Sequence, residues 1–135
     1  MTDNEKYNIW LEYAERDLDA AGVMFSAGRW FYAVFMCQQA VEKLAKGLYT
    51  VYVDENVPRI HNIKALIDRF EDKLSSPVPD KYYGLLKLLS AYYVSDRYPD
   101  YISKTGEQIS KDEAVRVFGE TKEVFAWLST LKPRG

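Results

Sequence analysis

The fold is decided by residues 29–53, which read RWFYAVFMCQQAVEKLAKGLYTVYV. Apolar residues recur there every three or four positions, which is the period of one face of an α-helix. That face carries Val34, Cys37, Gln38, Val41, Leu44, Ala45, Leu48 and Tyr52. The opposite stripe carries Gln39, Glu42, Lys43 and Lys46. The pattern predicts a long helix with an apolar face and a polar stripe.

Four further segments have the same helical period, at residues 4–26, 62–74, 81–93 and 110–131. Gly28 is expected to end the first helix, because glycine readily takes the left-handed conformation found at helix ends. Asp80 is placed to cap the fourth helix, and Ser110 and Glu113 form a capping box at the start of the fifth. The sequence therefore predicts an all-α fold, a single up-and-down antiparallel bundle of four long helices plus a short fifth.

Length and composition predict one globular domain over residues 1–135. The chain has 135 residues, of which 47% are hydrophobic and 28% charged, and its formal net charge is −2. This charge excludes a protein that holds nucleic acid by a bulk positive field. Cys37 is the single cysteine and His61 the single histidine, so we expect no disulfide, no metal site and no cofactor.

The distribution of apolar residues predicts a cytoplasmic protein without a membrane segment. The longest apolar run, Trp30 to Cys37, has eight residues. A helix that spans a bilayer needs roughly 20. The opening segment, Met1 to Lys6, is polar and lacks the apolar run of a secretory signal.

Four short motifs follow one another along the chain. They are AERDL at residues 14–18 with Ala21, CQQAVEKLAK at 37–46, HNI at 61–63 with Leu66, and RYPD at 97–100. In this order the motifs resemble those of HEPN domains, a family named for higher eukaryotes and prokaryotes and for nucleotide binding. The resemblance implies an antiparallel helical bundle that commonly forms a homodimer. It also implies nucleotide or RNA ligands, and a small nucleotidyltransferase as partner in a toxin–antitoxin or nucleotide-handling pair.

Many members of the family resembled are metal-independent ribonucleases. In these enzymes an arginine is followed four to six residues later by a histidine. The ribose 2′-hydroxyl attacks the adjacent phosphate, the arginine stabilises the developing charge, and the histidine moves protons. Here Arg97 matches the arginine, but Ile102 stands where the histidine is expected. Asp100 is then the catalytic candidate beside Arg97, provided that burial favours its protonated form.

The sequence leaves two interpretations of these residues open. In one, a nucleotide or partner is contacted by Arg97, Tyr98, Asp100, Gln39, Glu42 and Lys43. In the other, Arg97 pairs with Glu42 or another carboxylate across the bundle, and Glu42 and Lys46 form an ordinary pair on a solvated helix face.

His61 is assigned a structural role, satisfying an exposed backbone group at a helix start. The tyrosines around the fourth helix are expected to pack in the core or at a dimer interface. Overall the sequence favours a nucleotide-binding and interaction module. A dimeric ribonuclease using Arg97 is the first alternative, and a non-catalytic helical scaffold is the second.

Overall fold

The computed structural model describes residues 2–92 and 109–133. Within these ranges five α-helices are present and no strand. They are α1 (Asp3–Ser26), α2 (Trp30–Tyr52), α3 (Ile63–Asp68), α4 (Tyr83–Ala91) and α5 (Lys111–Ser129). Two single-turn 3-10 helices, Glu71–Lys73 and Asp80–Tyr82, flank the connection between α3 and α4. The predicted all-α helical bundle is confirmed.

The first connection of the bundle ends α1 as the sequence predicts. Gly28 has a φ of +75°, in the left-handed region that favours glycine. The N–H of Arg29 donates to the carbonyl of Met24 at 2.8 Å, and that of Gly28 to Phe25 at 3.1 Å. This is a Schellman motif, which satisfies the last carbonyls of α1 and turns the chain back along it.

The short helices differ in detail from the prediction. The predicted third helix reaches residue 74, but α3 ends at Asp68. A 3-10 turn follows at Glu71–Lys73, and Phe70, which lies between the two elements, is fully buried. α4 has nine residues, so three of the five described helices are long. Asp80 does not cap α4. It begins the preceding 3-10 turn, which places its side chain three residues before the first residue of α4.

The start of α5 agrees with the prediction. The hydroxyl of Ser110 accepts a hydrogen bond from the N–H of Glu113 at 3.1 Å. An N-cap hydroxyl of this kind satisfies one of the backbone donors that a helix leaves unpaired in its first turn. α5 therefore begins where the capping sequence indicates.

α2 is the central helix of the bundle. Fourteen of its 23 residues are buried, so it is covered on most sides. α1 packs along it, α5 packs on another side, and α3 and α4 contact it over shorter lengths. Because α2 is enclosed, part of its polar stripe also lies inside the protein. None of the helices in the described ranges combines the length and apolar character needed to cross a bilayer.

Candidate functional site

A row of three polar side chains runs along α2 at intervals of four residues. The amide of Gln38 donates to Oε1 of Glu42 at 2.7 Å. The ammonium group of Lys46 donates to Oε2 of the same carboxylate at 2.9 Å. Four-residue spacing places side chains one above the other on a helix, so these contacts follow directly from the helical period.

The row is buried. Gln38 is 0% exposed, Glu42 4% and Lys46 9%. The predicted ion pair between Glu42 and Lys46 is present, but its assignment to a solvated helix face is wrong. The helical period of α2 alone does not reveal this burial.

The ring of His61 faces Glu42, the middle residue of the row. Its Nδ1 lies 3.3 Å from both carboxylate oxygens of Glu42. The amide nitrogen of Gln38 also lies 3.5 Å from the backbone carbonyl of His61. The side chain of His61 is 38% exposed, far more than that of Glu42. The described part of the site is thus a buried polar network with a partly exposed imidazole at its edge.

The structural role expected for His61 is performed by its neighbours. The side chain of Asn62 caps α3 by accepting from the N–H of Ala65 at 3.0 Å. The N–H of Ile63 donates to the hydroxyl of Ser90 in α4 at 3.1 Å. Nδ1 of the His61 ring faces the carboxylate of Glu42.

Gln39 and Lys43 continue the polar surface of α2 towards α1. The amide of Gln39 donates to the side-chain oxygen of Gln38 at 2.6 Å. The ammonium group of Lys43 forms an ion pair with Asp17 of α1. Both side chains are half-buried. Gln39 is therefore linked to the network, whereas Lys43 ties α2 to α1.

The remaining predicted site residues, Arg97, Tyr98 and Asp100, lie outside the described residues. The carboxylate of Glu42, the proposed partner of Arg97 in the structural interpretation, already accepts from Gln38 and Lys46 and faces His61.

Several of the aromatic residues around α4 contribute to the core. Tyr82 is buried and its ring lies 5.4 Å from that of Trp127. The hydroxyl of Tyr83 donates to Glu71 at 2.8 Å, and the ring of Tyr92 lies 6.0 Å from that of Phe31. These contacts agree with the predicted packing role of the tyrosines within the described ranges.

Cys37 is not a nucleophile of this site. Its thiol is buried, and burial raises its pKa to about 11, with the hydroxyl of Thr121 offsetting part of that effect. A thiol with so high a pKa is almost entirely protonated near neutral pH. Among the described residues there is also no group of three side chains of the types that bind metal ions.

Two cavities lie apart from the network. One, of about 390 Å³, lies near the C-terminal ends of α2 and α5 and is lined by Tyr52, Lys73 and Lys132 among others. The second, of about 350 Å³, lies between α1 and α5 and is lined by Leu18 and Phe118 among others. Neither is lined by His61 or Glu42, and we base the candidate site on the hydrogen-bonded network, because it holds the buried charges.

Two members of this network, Gln38 and His61, are not among the binding residues predicted from the sequence. Gln38 falls on the predicted apolar face of α2, although its four-residue spacing from Glu42 and Lys46 is a signal for a polar row. His61 is predicted to have a structural role at a helix start, and the sequence leaves open whether folding brings it to the site. Its contact with Glu42 spans 19 positions, and no local pattern encodes such a contact.

Comparisons with known proteins agree with the fold and with the order of the motifs. The HEPN domain model matches residues 7–131. No curated protein matches this chain.

Two solved structures resemble the chain over almost its whole length. ST0689, an archaeal HEPN homologue, is 28% identical, with a TM-score of 0.70 over 92% of this chain and 95% of its own. TT1696 from Thermus thermophilus is 25% identical, with a TM-score of 0.73 over 93% of this chain and 97% of its own. The resemblance carried by the four motifs is thereby confirmed, and the chain belongs to the HEPN domain family.

Proposed function

We propose that this HEPN domain binds a nucleotide and acts with a small nucleotidyltransferase as one half of a toxin–antitoxin type pair. The observation that carries the proposal is the buried row Gln38, Glu42 and Lys46, whose central carboxylate faces the partly exposed ring of His61. Family membership supports the ligand class. Arg97, from the motif that follows α4, is the residue proposed to contact the phosphate.

The energetic cost of the row supports a functional interpretation. Transferring a carboxylate and an ammonium group out of water costs several kcal/mol for each ion, and their attraction often only balances that cost. Apolar side chains of similar size frequently give equal or greater stability. Natural proteins typically keep energetically costly groups of this kind at functional sites, and the buried ion pair of Glu42 and Lys46 lies next to His61.

The groups at this site suit a nucleotide. An imidazole can donate or accept a hydrogen bond, as the hydroxyls of ribose and the edges of bases require. The guanidinium of arginine binds phosphate in a bidentate manner. A site built from these groups needs no metal ion for binding.

Thermal denaturation with and without nucleotide tests the binding. A ligand that binds only the folded state raises Tm, so we expect millimolar ATP to raise the Tm of the wild-type protein. Lys81→Ala, which removes an exposed lysine paired with Glu123, is the charge control and should keep the shift. Arg97→Ala should lose the shift while retaining the unliganded Tm.

Two results would contradict this proposal. The absence of any shift in the wild type, with a panel of ribonucleotides, would remove nucleotide binding. An Arg97→Ala variant that has a lower Tm without ligand but an unchanged shift would show that Arg97 stabilises the fold and does not bind nucleotide.

The proposed partnership is tested by co-expression with the protein encoded by the neighbouring reading frame. We expect the two proteins to elute together in size-exclusion chromatography. We also expect transfer of a nucleotidyl group within the pair. Separate peaks together with the absence of transfer would rule the partnership out.

A metal-independent ribonuclease is the second candidate, and the contact of His61 with Glu42 favours it. A histidine held by a carboxylate is a common general acid or base, and the chain lacks the histidine expected after Arg97. Incubation with RNA in the presence of chelator is the test, with Arg97→Ala and His61→Ala in parallel. Cleavage by the wild type that both variants lose is expected; no cleavage by the wild type, or equal cleavage by all three, would exclude this activity.

A further inference from the structure

The surface between α1 and α5 is an open groove with an apolar floor. Its volume is about 350 Å³, and its apolar lining residues are Leu18, Gly22 and Phe118. A Cβ at Gly22 would lie 3.5 Å from the ring of Phe118, so the ring lies against the backbone of α1 at this point. Two valines extend the floor, Val23 on α1 and Val115 on α5, and they are 59% and 47% exposed. We call these five residues the α1–α5 face.

The two rims of the α1–α5 face carry opposite charges. Glu15 and Asp19 line the groove from α1, and Lys122 lines it from α5. The ammonium group of Lys122 lies 4.7 Å from the centre of the Phe118 ring, at the edge of the apolar floor. Within the described ranges, none of these three charged side chains forms an ion pair. Their charges are therefore available to a partner.

The two helices that form the face run in opposite directions. Phe118, in the first half of α5, lies against Gly22 near the end of α1. Lys132, just after α5, donates to the side chain of Asn4 near the start of α1. The chain therefore descends along α1 and returns along α5 with a fixed register.

This register places Asp19 and Lys122 at the same level of the groove, on opposite rims. Asp19 is three residues before Gly22, and Lys122 is four residues after Phe118. One turn of an α-helix contains 3.6 residues, so each charge lies about one turn from the contact between the two helices, and in the same direction.

The positions of the charges select one symmetric way to pair this face with itself. A two-fold axis that runs along the groove places α1 of each copy over α5 of the other and keeps every residue at its own level. Asp19 then faces Lys122 of the partner subunit, and the contact occurs twice. A two-fold axis across the groove would place α1 on α1, which brings the two acidic rims together.

We propose that the α1–α5 face binds a second copy of this chain, in a two-fold dimer in which α1 of each copy lies on α5 of the other. An isologous interface joins one surface to itself, so it needs opposite charges on its two rims and apolar residues between them. The α1–α5 face has both. The family resemblance implies a homodimer without naming its surface, and this proposal does not depend on the proposed nucleotide.

Reversal of the rim charges tests the dimer, with its dissociation constant measured by light scattering over a range of concentrations. At high micromolar concentration the wild type should have twice the mass of the 15.7 kDa chain. Lys122→Glu should raise the dissociation constant by about tenfold or more, because it places like charges opposite each other at two symmetric positions. Asp19→Lys should have the same effect. Both side chains are exposed, so both variants should fold.

The double variant, with Asp19→Lys and Lys122→Glu together, restores opposite charges across the interface. We expect its dissociation constant to return to within about threefold of the wild-type value, because each pair is again attractive with its direction reversed. Lys87→Glu is the matched control, since Lys87 is an exposed lysine of α4 that does not line the groove. It should leave the dissociation constant unchanged.

Three results would overturn the proposal. A wild type with the mass of one chain at high micromolar concentration would exclude self-association. A dimer whose dissociation constant is unchanged in both single variants would place the interface on another face. A double variant that dissociates as readily as the single variants would show that Asp19 and Lys122 do not face each other across the dimer.

Discussion

Lys46 donates to the buried carboxylate of Glu42, and loss of the lysine leaves that charge without its cation. Removing one partner of a buried ion pair typically costs 3–5 kcal/mol. We therefore expect Lys46→Met to lower the free energy of unfolding by about 3–5 kcal/mol, measured by urea denaturation.

Lys64→Met is the matched control for that prediction. Lys64 pairs with Asp68 at the same four-residue spacing, but both side chains are about half exposed. Exposed pairs of this kind contribute roughly 0.3–0.5 kcal/mol. Equal losses in the two variants would show that burial of the pair between Glu42 and Lys46 has no energetic consequence.

Thr121 and Thr50 are two buried threonines whose hydroxyls have different surroundings. The hydroxyl of Thr50 donates to the carbonyl of Gly47 at 2.6 Å. Among the described residues no group lies at the distance and angle of a normal hydrogen bond to the hydroxyl of Thr121, although the thiol of Cys37 is nearby. An unsatisfied buried hydroxyl carries a desolvation penalty of roughly 1–3 kcal/mol.

Replacement of each threonine by valine should therefore have opposite effects. Thr121→Val is expected to raise the free energy of unfolding by about 1 kcal/mol, because the valine methyl removes the penalty. Thr50→Val should lower it by about 1 kcal/mol through loss of the hydrogen bond. Urea denaturation of both variants is the measurement, and a destabilised Thr121→Val would mean that its hydroxyl has a partner.

At the scale of secondary-structure elements, Gly47 allows α1 and α2 to approach closely. A Cβ at this position would lie 3.0 Å from the Cβ of Trp10 and 3.4 Å from the ring of Tyr7. The Cβ of Trp10 moves only with the backbone of α1. A larger residue therefore forces the two helices apart.

Gly47→Ala should lower the free energy of unfolding by about 1–3 kcal/mol, the usual cost of overpacking. Gly119→Ala is the control, since within the described part of the chain nothing lies within 4 Å of its Cβ. It should raise stability by up to about 1 kcal/mol through helix propensity. A gain in both variants, measured by thermal or urea denaturation, would contradict close packing of α1 on α2.

Glu71 connects three elements near the start of α4. Its carboxylate accepts from the N–H of Val78 at 2.9 Å and from the hydroxyl of Tyr83 at 2.8 Å. These bonds hold the pKa of Glu71 below its ordinary value of 4.5. The same contact with Glu71, followed by burial, raises the pKa of Tyr83 to about 12.

The two shifts predict losses of stability at both ends of the pH range. The hydrogen bonds of the Glu71 carboxylate contribute fully to the free energy of unfolding above its ordinary pKa. This contribution is lost as pH falls through the lower pKa that Glu71 has in the folded protein. The hydrogen bond of the neutral Tyr83 phenol contributes fully to the free energy of unfolding below pH 10, and this contribution is lost as pH rises towards 12.

Urea denaturation at several pH values measures these losses. The stability difference between wild type and Glu71→Gln should shrink below about pH 4.5, and that between wild type and Tyr83→Phe above about pH 10. Differences that stay constant across both ranges would show that these hydrogen bonds are absent in solution.

At the scale of the whole molecule, we propose that the domain forms a homodimer, as the family resemblance implies. Among the described residues, Tyr13 and Tyr32 are large aromatic side chains about half exposed, on α1 and α2. Light scattering at high micromolar concentration should give twice the mass of the 15.7 kDa chain. A mass of one chain under those conditions would contradict the dimer.

The helices could be predicted because their signals are local. A period of three to four residues, a glycine able to take a positive φ at position 28 and a capping serine at 110 act within one or two turns. The limits of α3 were less predictable, since they depend on Phe70 entering the core. Its ring stacks on Tyr52 at 5.7 Å, 18 positions earlier in the chain.

The sequence by itself determined the helices, the pairing of Glu42 with Lys46 on α2 and the family, because helical periods and motif order are properties of neighbouring positions. Only the tertiary structure decided that this row is buried and that His61 joins it. Burial depends on which distant residues cover a helix face, and the contact of His61 with Glu42 joins positions 19 residues apart in the chain. Within the fold the carboxylate of Glu42 is buried and faces the imidazole of His61.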